Sequence, residues 1–81
     1  MHKPKTIHSE ESARLCKWLD KQRQEREVSI GQLALNLKWS KAIVGKIFVG
    51  DRRLDVVEYV QICQALGVDA CEGLGVISRK R

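Results

Sequence analysis

Between Val28 and Arg53 the sequence reads V-S-I-G-Q-L-A-L-N-L-K-W-S-K-A-I-V-G-K-I-F-V-G-D-R-R, and its apolar residues recur at helical spacing. Leu33, Ala34 and Leu37 fall on one face of a first helix. Val44, Ile47 and Phe48 share one face of a second. Ser29, with Gln32 three residues later, has the spacing of a capping box, and Ser40 is a good N-cap for the second helix. Only Lys38 and Trp39 separate the first helix from the second N-cap. Two helices joined so tightly must cross steeply, with Trp39 and Ala34 packed in the angle, which predicts a helix-turn-helix.

The same periodicity extends to both sides. A preceding helix is predicted to start at Ser9, with Glu10 and Glu11 at the positive end of its dipole. Leu15, Trp18 and Leu19 mark its buried face, with Ala13 and Cys16 at the flanks. The pattern fades after Leu19, and the wholly polar run 20–27 reads either as a solvated helical extension or as a loop. Gly50 stops the third helix. Asp55 caps a fourth over about 56–66, whose nearly continuous apolar positions and Gly67 stop predict the most buried helix of the set. Asp69 and Glu72 have capping-box spacing and open a fifth near Ala70, weakened by Gly73 and Gly75. The organisation expected is an arm over 1–8, one domain over 9–78 and a basic tail over 79–81.

Composition narrows the classes. The 81 residues suit one small domain, and 43% hydrophobic residues exclude a disordered tail. The apolar runs are far short of a membrane span and no secretory signal is visible, so the expected location is cytoplasmic. The net charge of +5 is unevenly spread. Residues 29–53 hold Lys38, Lys41, Lys46, Arg52 and Arg53 against Asp51 alone, whereas residues 54–78 hold four acids and no base. A polyanion is the natural partner of the first surface, the plainer alternative being a basic surface that merely keeps the chain soluble. In the arm, Lys3 and Lys5 belong either to a disordered end or to a basic arm that reaches phosphates. Cys16, Cys63 and Cys71 are widely spaced without C-x-x-C, so they read as small hydrophobes and not as a zinc site. His2 and His8 lie in the arm, away from any cysteine, and no glycine-rich phosphate loop precedes a helix. No catalytic set, cofactor, metal or small-molecule ligand is therefore expected.

Val28, Ser29, Leu33, Ala34, Trp39, Ser40, Val44, Ile47, Gly50 and Arg52, followed by Cys63, Ala65, Leu66, Gly67 and Val68, match a known pattern. Over about residues 12–74 the chain resembles the lambda-repressor-like family of DNA-binding domains, the Cro/C1 or xenobiotic-response-element type. The resemblance implies an all-α, compact five-helix lambda-repressor-like bundle that binds operator DNA as a dimer, with helices 2 and 3 as the helix-turn-helix. Departures are visible. Ile30 stands where the family often has a phosphate-binding glutamine, Lys38 where the turn usually has a left-handed glycine, and Leu54 where proline is common. The segment from Leu19 to Val28 is a few residues longer than usual, and Ala42, Ile43 and Gly45 leave the third helix poor in hydrogen-bonding side chains.

Carried onto this sequence, the resemblance implies that Lys41, Ala42, Gly45 and Lys46 meet base edges in the major groove. It gives phosphate contacts to Lys38, Arg52 and Arg53 and to the helix N-termini at Ser29 and Ser40. The function expected is a sequence-specific transcriptional regulator, a small repressor of phage or bacterial type that binds double-stranded DNA as a homodimer. Self-association is expected through the end of helix 4 and the C-terminal segment, where Val57, Tyr59, Leu74, Val76 and Ile77 exceed what one helix face needs. The alternative is a protein-interaction module or antitoxin-like partner that keeps the fold, suggested by Ile30, Leu35, Ile43 and Val49.

Overall fold

The structure is a computed structural model that describes residues 10–78. Five α-helices and no strand form among these residues: α1 (Glu10–Glu25), α2 (Ile30–Leu37), α3 (Lys41–Val49), α4 (Val56–Leu66) and α5 (Ala70–Ser78). Ser9, the expected start of α1, lies outside the described residues, as do the arm and the basic tail.

Local capping fixes most of the helix ends. The Ser29 hydroxyl accepts from the Gln32 amide at 3.0 Å while the Gln32 side chain accepts from the Ser29 amide at 3.1 Å, the reciprocal box that their spacing predicts. Asp55 and Glu58 make a second such box at α4. The box expected from Asp69 and Glu72 takes a different form. The Asp69 carboxylate accepts from the Cys71 amide at 3.0 Å, and the Glu72 amide donates to the Asp69 carbonyl instead. A short aspartate side chain reaches the amide two residues on as readily as the one three residues on. Gly50 and Gly67 end α3 and α4 in the left-handed region. Lys38 ends α2 in the same region at φ 62° without being glycine, at a cost on the order of 1 kcal/mol.

The polar run after Leu19 is helical as far as Glu25. Side-chain pairs one turn apart hold it: Arg23 bonds Asp20 at 2.7 Å, and Arg26 donates to Gln22 at 2.9 Å. Arg23 does more, because its Nη1 also donates to the Val28 carbonyl at 2.8 Å and its guanidinium lies 5.7 Å from the centre of the Phe48 ring. One side chain thus ties the end of α1 to the far part of the α1–α2 loop and to α3.

The core is built from Leu19 of α1, Leu33 and Ala34 of α2, Val44 and Ile47 of α3, and Tyr59, Ile62, Cys63 and Leu66 of α4. α2 packs on α3 and α4, and α1 packs on α3, α4 and α5. α4 is the most buried helix, as its composition predicts, but Val56 and Val57 point to solvent. α5 approaches so closely that Gly73 is buried beneath Trp18 and Tyr59, and the Tyr59 hydroxyl donates to the Ala70 carbonyl. Tyr59 is therefore core and not dimer surface.

This packing has consequences for stability. A side chain at Gly75 would meet nothing within 4 Å, so Gly75→Ala should stabilise the fold by up to about 1 kcal/mol through helix propensity, read as a higher urea midpoint. A second consequence concerns alkaline pH. Burial raises the Cys16 and Cys63 thiols above their ordinary values, and burial, with Cys63 beside it, raises the Tyr59 hydroxyl well above its own. The folded chain holds these protons where the unfolded chain releases them. Stability should therefore fall as pH rises through the ordinary thiol range near about 8.5 and fall further above the tyrosine range near about 10. Urea midpoints across that range check it, and Tyr59→Phe should flatten the upper part of the decline.

Candidate nucleic-acid interface

The candidate surface starts at the Lys38–Trp39–Ser40 connection. The left-handed Lys38 ends α2 abruptly, the Trp39 amide donates to the Ala34 carbonyl at 3.0 Å, and the Ser40 hydroxyl caps α3 by accepting from the Ile43 amide at 3.1 Å. Val44 and Ile47 are fully buried against the core, which fixes the rotation of α3 about its axis. The opposite side of α3 then presents Lys41, Ala42 and Lys46 to solvent, with Gly45 half-buried between them. These four positions, expected from the resemblance to meet bases, share one outward face. A Cβ at Gly45 would meet nothing within 4 Å, so the fold itself does not require glycine there.

The residues expected to contact phosphate divide into three kinds. Lys38 and Arg53 are exposed. The Ser29 and Ser40 hydroxyls accept backbone amides as caps, and each retains its own proton for donation to an acceptor outside the chain. Ser29 and Lys41 converge: a Cβ built at Gly31 would lie 3.9 Å from both the Ser29 hydroxyl oxygen and the Lys41 Cε. The Lys41 stem therefore passes the N-terminus of α2, drawing its charge toward the Ser29 end of the surface. Arg52 is half-buried and engaged inside the molecule. Its Nη1 donates to Glu58 at 2.9 Å, and that bond raises the guanidinium pKa further.

Compared with known proteins, the chain matches no family model and no curated sequence closely enough to show a relationship.

Three further residues take places around this surface that the sequence pattern does not single out. Glu58 both closes the capping box and holds Arg52, and its place three residues after Asp55 is a legible signal. Arg23 carries the signal of Asp20 at i−3, but its bond to Val28 and its place over Phe48 are tertiary. Lys17 rims an open groove of about 220 Å³ between α1 and the end of α3, lined by Ala13, Cys16, Phe48, Val49 and Gly50. That volume lies below the usual range for small-molecule sites. Among the described residues no cluster of histidine, cysteine or acidic side chains is arranged to hold a metal, and no helix is long and apolar enough to cross a membrane.

Proposed function

We propose that the chain is a sequence-specific DNA-binding regulator of the lambda-repressor-like type, a small repressor that binds operator DNA as a homodimer. In this reading α2 and α3 are the helix-turn-helix and α3 enters the major groove. The observation that carries it is the outward face of α3. Lys41, Ala42, Gly45 and Lys46 share it, the capped N-termini of α2 and α3 lie at its edge, and the surrounding segment 29–53 is basic. Lys46 reads a base edge, Ala42 packs on a thymine methyl, and Gly45 lets the backbone come close. Lys41, next to the Ser29 cap, serves both groove and phosphate. Lys38, Arg53, Ser29 and Ser40 contact phosphate.

The test is a gel shift of the chain against its own upstream DNA and random genomic fragments at low salt. Retention of at least one fragment in competition with the others supports the reading, and no retardation of any fragment refutes it. The dimer is checked by sedimentation with and without DNA, where a monomer in both at high micromolar concentration rules it out. Of the residues expected at the dimer surface, Val57 and Leu74 are exposed and support that dimer, whereas Val76 and Ile77 are half-buried.

A second reading, a protein-interaction module or antitoxin-like partner, draws on a different observation. Leu35 is 78% exposed, Val49 72% and Ile43 38%, whereas Ile30 is packed against the core. Apolar side chains left in water on α2 and α3 fit a protein interface. Leu35→Ser separates the readings, because it should leave DNA retardation unchanged if the first reading holds alone.

A further inference from the structure

We infer that Arg52 is a positioning residue, which ties the α3–α4 connection to α4 and thereby aims Arg53 at the partner. The inference rests on the DNA-binding reading above, and it departs from the phosphate contact that the resemblance implies for Arg52.

The connection between α3 and α4 is short and held at both ends. At its start, the amides of Asp51 and Arg52 both donate to the Lys46 carbonyl, at 2.9 and 3.3 Å, so the chain turns over the end of α3. At its far end, Asp55 and Glu58 cap α4 reciprocally. The Arg52 side chain joins the two. Its Nη1 reaches Glu58 Oε1 at 2.9 Å and the Arg53 carbonyl at 3.4 Å, while the same Glu58 oxygen accepts from the Asp55 amide at 3.3 Å. One guanidinium nitrogen therefore grips both the helix cap and the peptide that carries Arg53.

The charges point the same way. The acid at 2.9 Å offsets the Arg52 charge and takes up its Nη1, which leaves only Nε and Nη2 to meet a phosphate. Arg53 carries no such partner among the described residues: its side chain is exposed and its only bond in this network is through its carbonyl. Of two adjacent arginines, one is consumed in fixing the loop and the other is presented. A phosphate contact releases a counterion, whereas a positioning residue does not, so the two roles separate in the salt dependence of binding.

The experiment measures affinity of the full chain for a short mixed-sequence DNA duplex between about 50 and 200 mM salt. It compares wild type with Arg52→Gln, Glu58→Gln and Arg53→Gln. Arg53→Gln should lower the slope of log affinity against log salt by about one unit. Arg52→Gln and Glu58→Gln should each weaken binding by a common factor and leave the slope at the wild-type value, and their combination should be no weaker than either alone. In the free chain, both should speed amide hydrogen exchange at residues 51–55 to the same extent. Arg52→Gln lowering the slope as Arg53→Gln does would overturn the inference, as would tighter and more salt-dependent binding by Glu58→Gln. Unchanged exchange alongside intact DNA binding would overturn this inference alone. Wild type that fails to bind DNA at low salt would overturn the DNA-binding reading and this inference with it.

Discussion

Gly73→Ala is expected to destabilise the protein by about 3 kcal/mol, the upper part of the range for overpacking a core. A Cβ at this position would stand 2.7 Å from Trp18 Cζ3 and closer still to the Tyr59 hydroxyl. Neither neighbour can yield easily. Trp18 packs against the core, and the Tyr59 hydroxyl is committed to the Ala70 carbonyl. Relief would require α5 to move away from α1 and α4 and break that bond. Alanine would gain roughly 1 kcal/mol of helix propensity over glycine, so the contact loss must exceed this for the sign to hold. In a domain whose whole stability is about 5–15 kcal/mol, the expected loss is a large share. Urea unfolding of Gly73→Ala beside Gly75→Ala is the measurement, since the two differ only in what lies above the glycine. Opposite signs support the close approach of α5, and equal stabilisation of both would show that α5 does not sit against Trp18 and Tyr59.

Lys46→Ala should cost about 1–3 kcal/mol of binding on the preferred DNA site and relax the choice of base at one position. Arg53→Ala should instead weaken binding to all sequences alike, because a phosphate contact carries no sequence information. The contrast follows from where the two side chains stand. Lys46 lies on the outward face of α3 beside Ala42 and Gly45, and Arg53 lies in the loop beyond it. With hydrocarbon or no side chain at those two neighbours, Lys41 and Lys46 would have to supply most of the direct readout in the proposed binding mode. The preference for specific over random DNA should therefore be modest, with DNA shape supplying the remainder. Affinity of both variants for operator and scrambled duplexes at two salt concentrations checks this. Equal losses by Lys46→Ala on both duplexes would make it a phosphate contact and remove the assigned reading face.

The basic character of the α2–α3 segment and the outward set of α3 are both legible in the amino-acid sequence. Lys41 and Lys46 lie off the positions occupied by Val44 and Ile47, so helical periodicity alone puts them on the other side. The pairing of Arg52 is not legible in the same way. Arg52 and Glu58 are six residues apart across a loop and a helix cap, and no helical or strand period brings that spacing together. Nor does periodicity decide the exposure of Leu35 and Val49, because an apolar residue on a short helix can be turned inward by a neighbour that the sequence does not identify.

What the sequence determined by itself were the features made by residues within about one helical turn of each other. The Ser29–Gln32 box, the Ser40 and Asp55 caps and the Gly50 and Gly67 stops all fall where their spacing puts them, because capping groups find partners only a few residues away. The five-helix, all-α architecture follows from those ends together with the apolar periodicity. The tertiary structure decided what depends on which faces meet. It selected Tyr59, Ile62, Cys63 and Leu66 from the nearly continuous apolar run of α4 and left Val56 and Val57 in water. It tied the end of α1 to the following loop and to α3 through Arg23, which meets the Val28 carbonyl and the Phe48 ring. It turned Gly73 from a weak point in a helix into the place where α5 meets Trp18 and Tyr59. The physical reason is common to all three: each depends on contacts between separate segments of the chain, and such contacts leave no period in the sequence to be read.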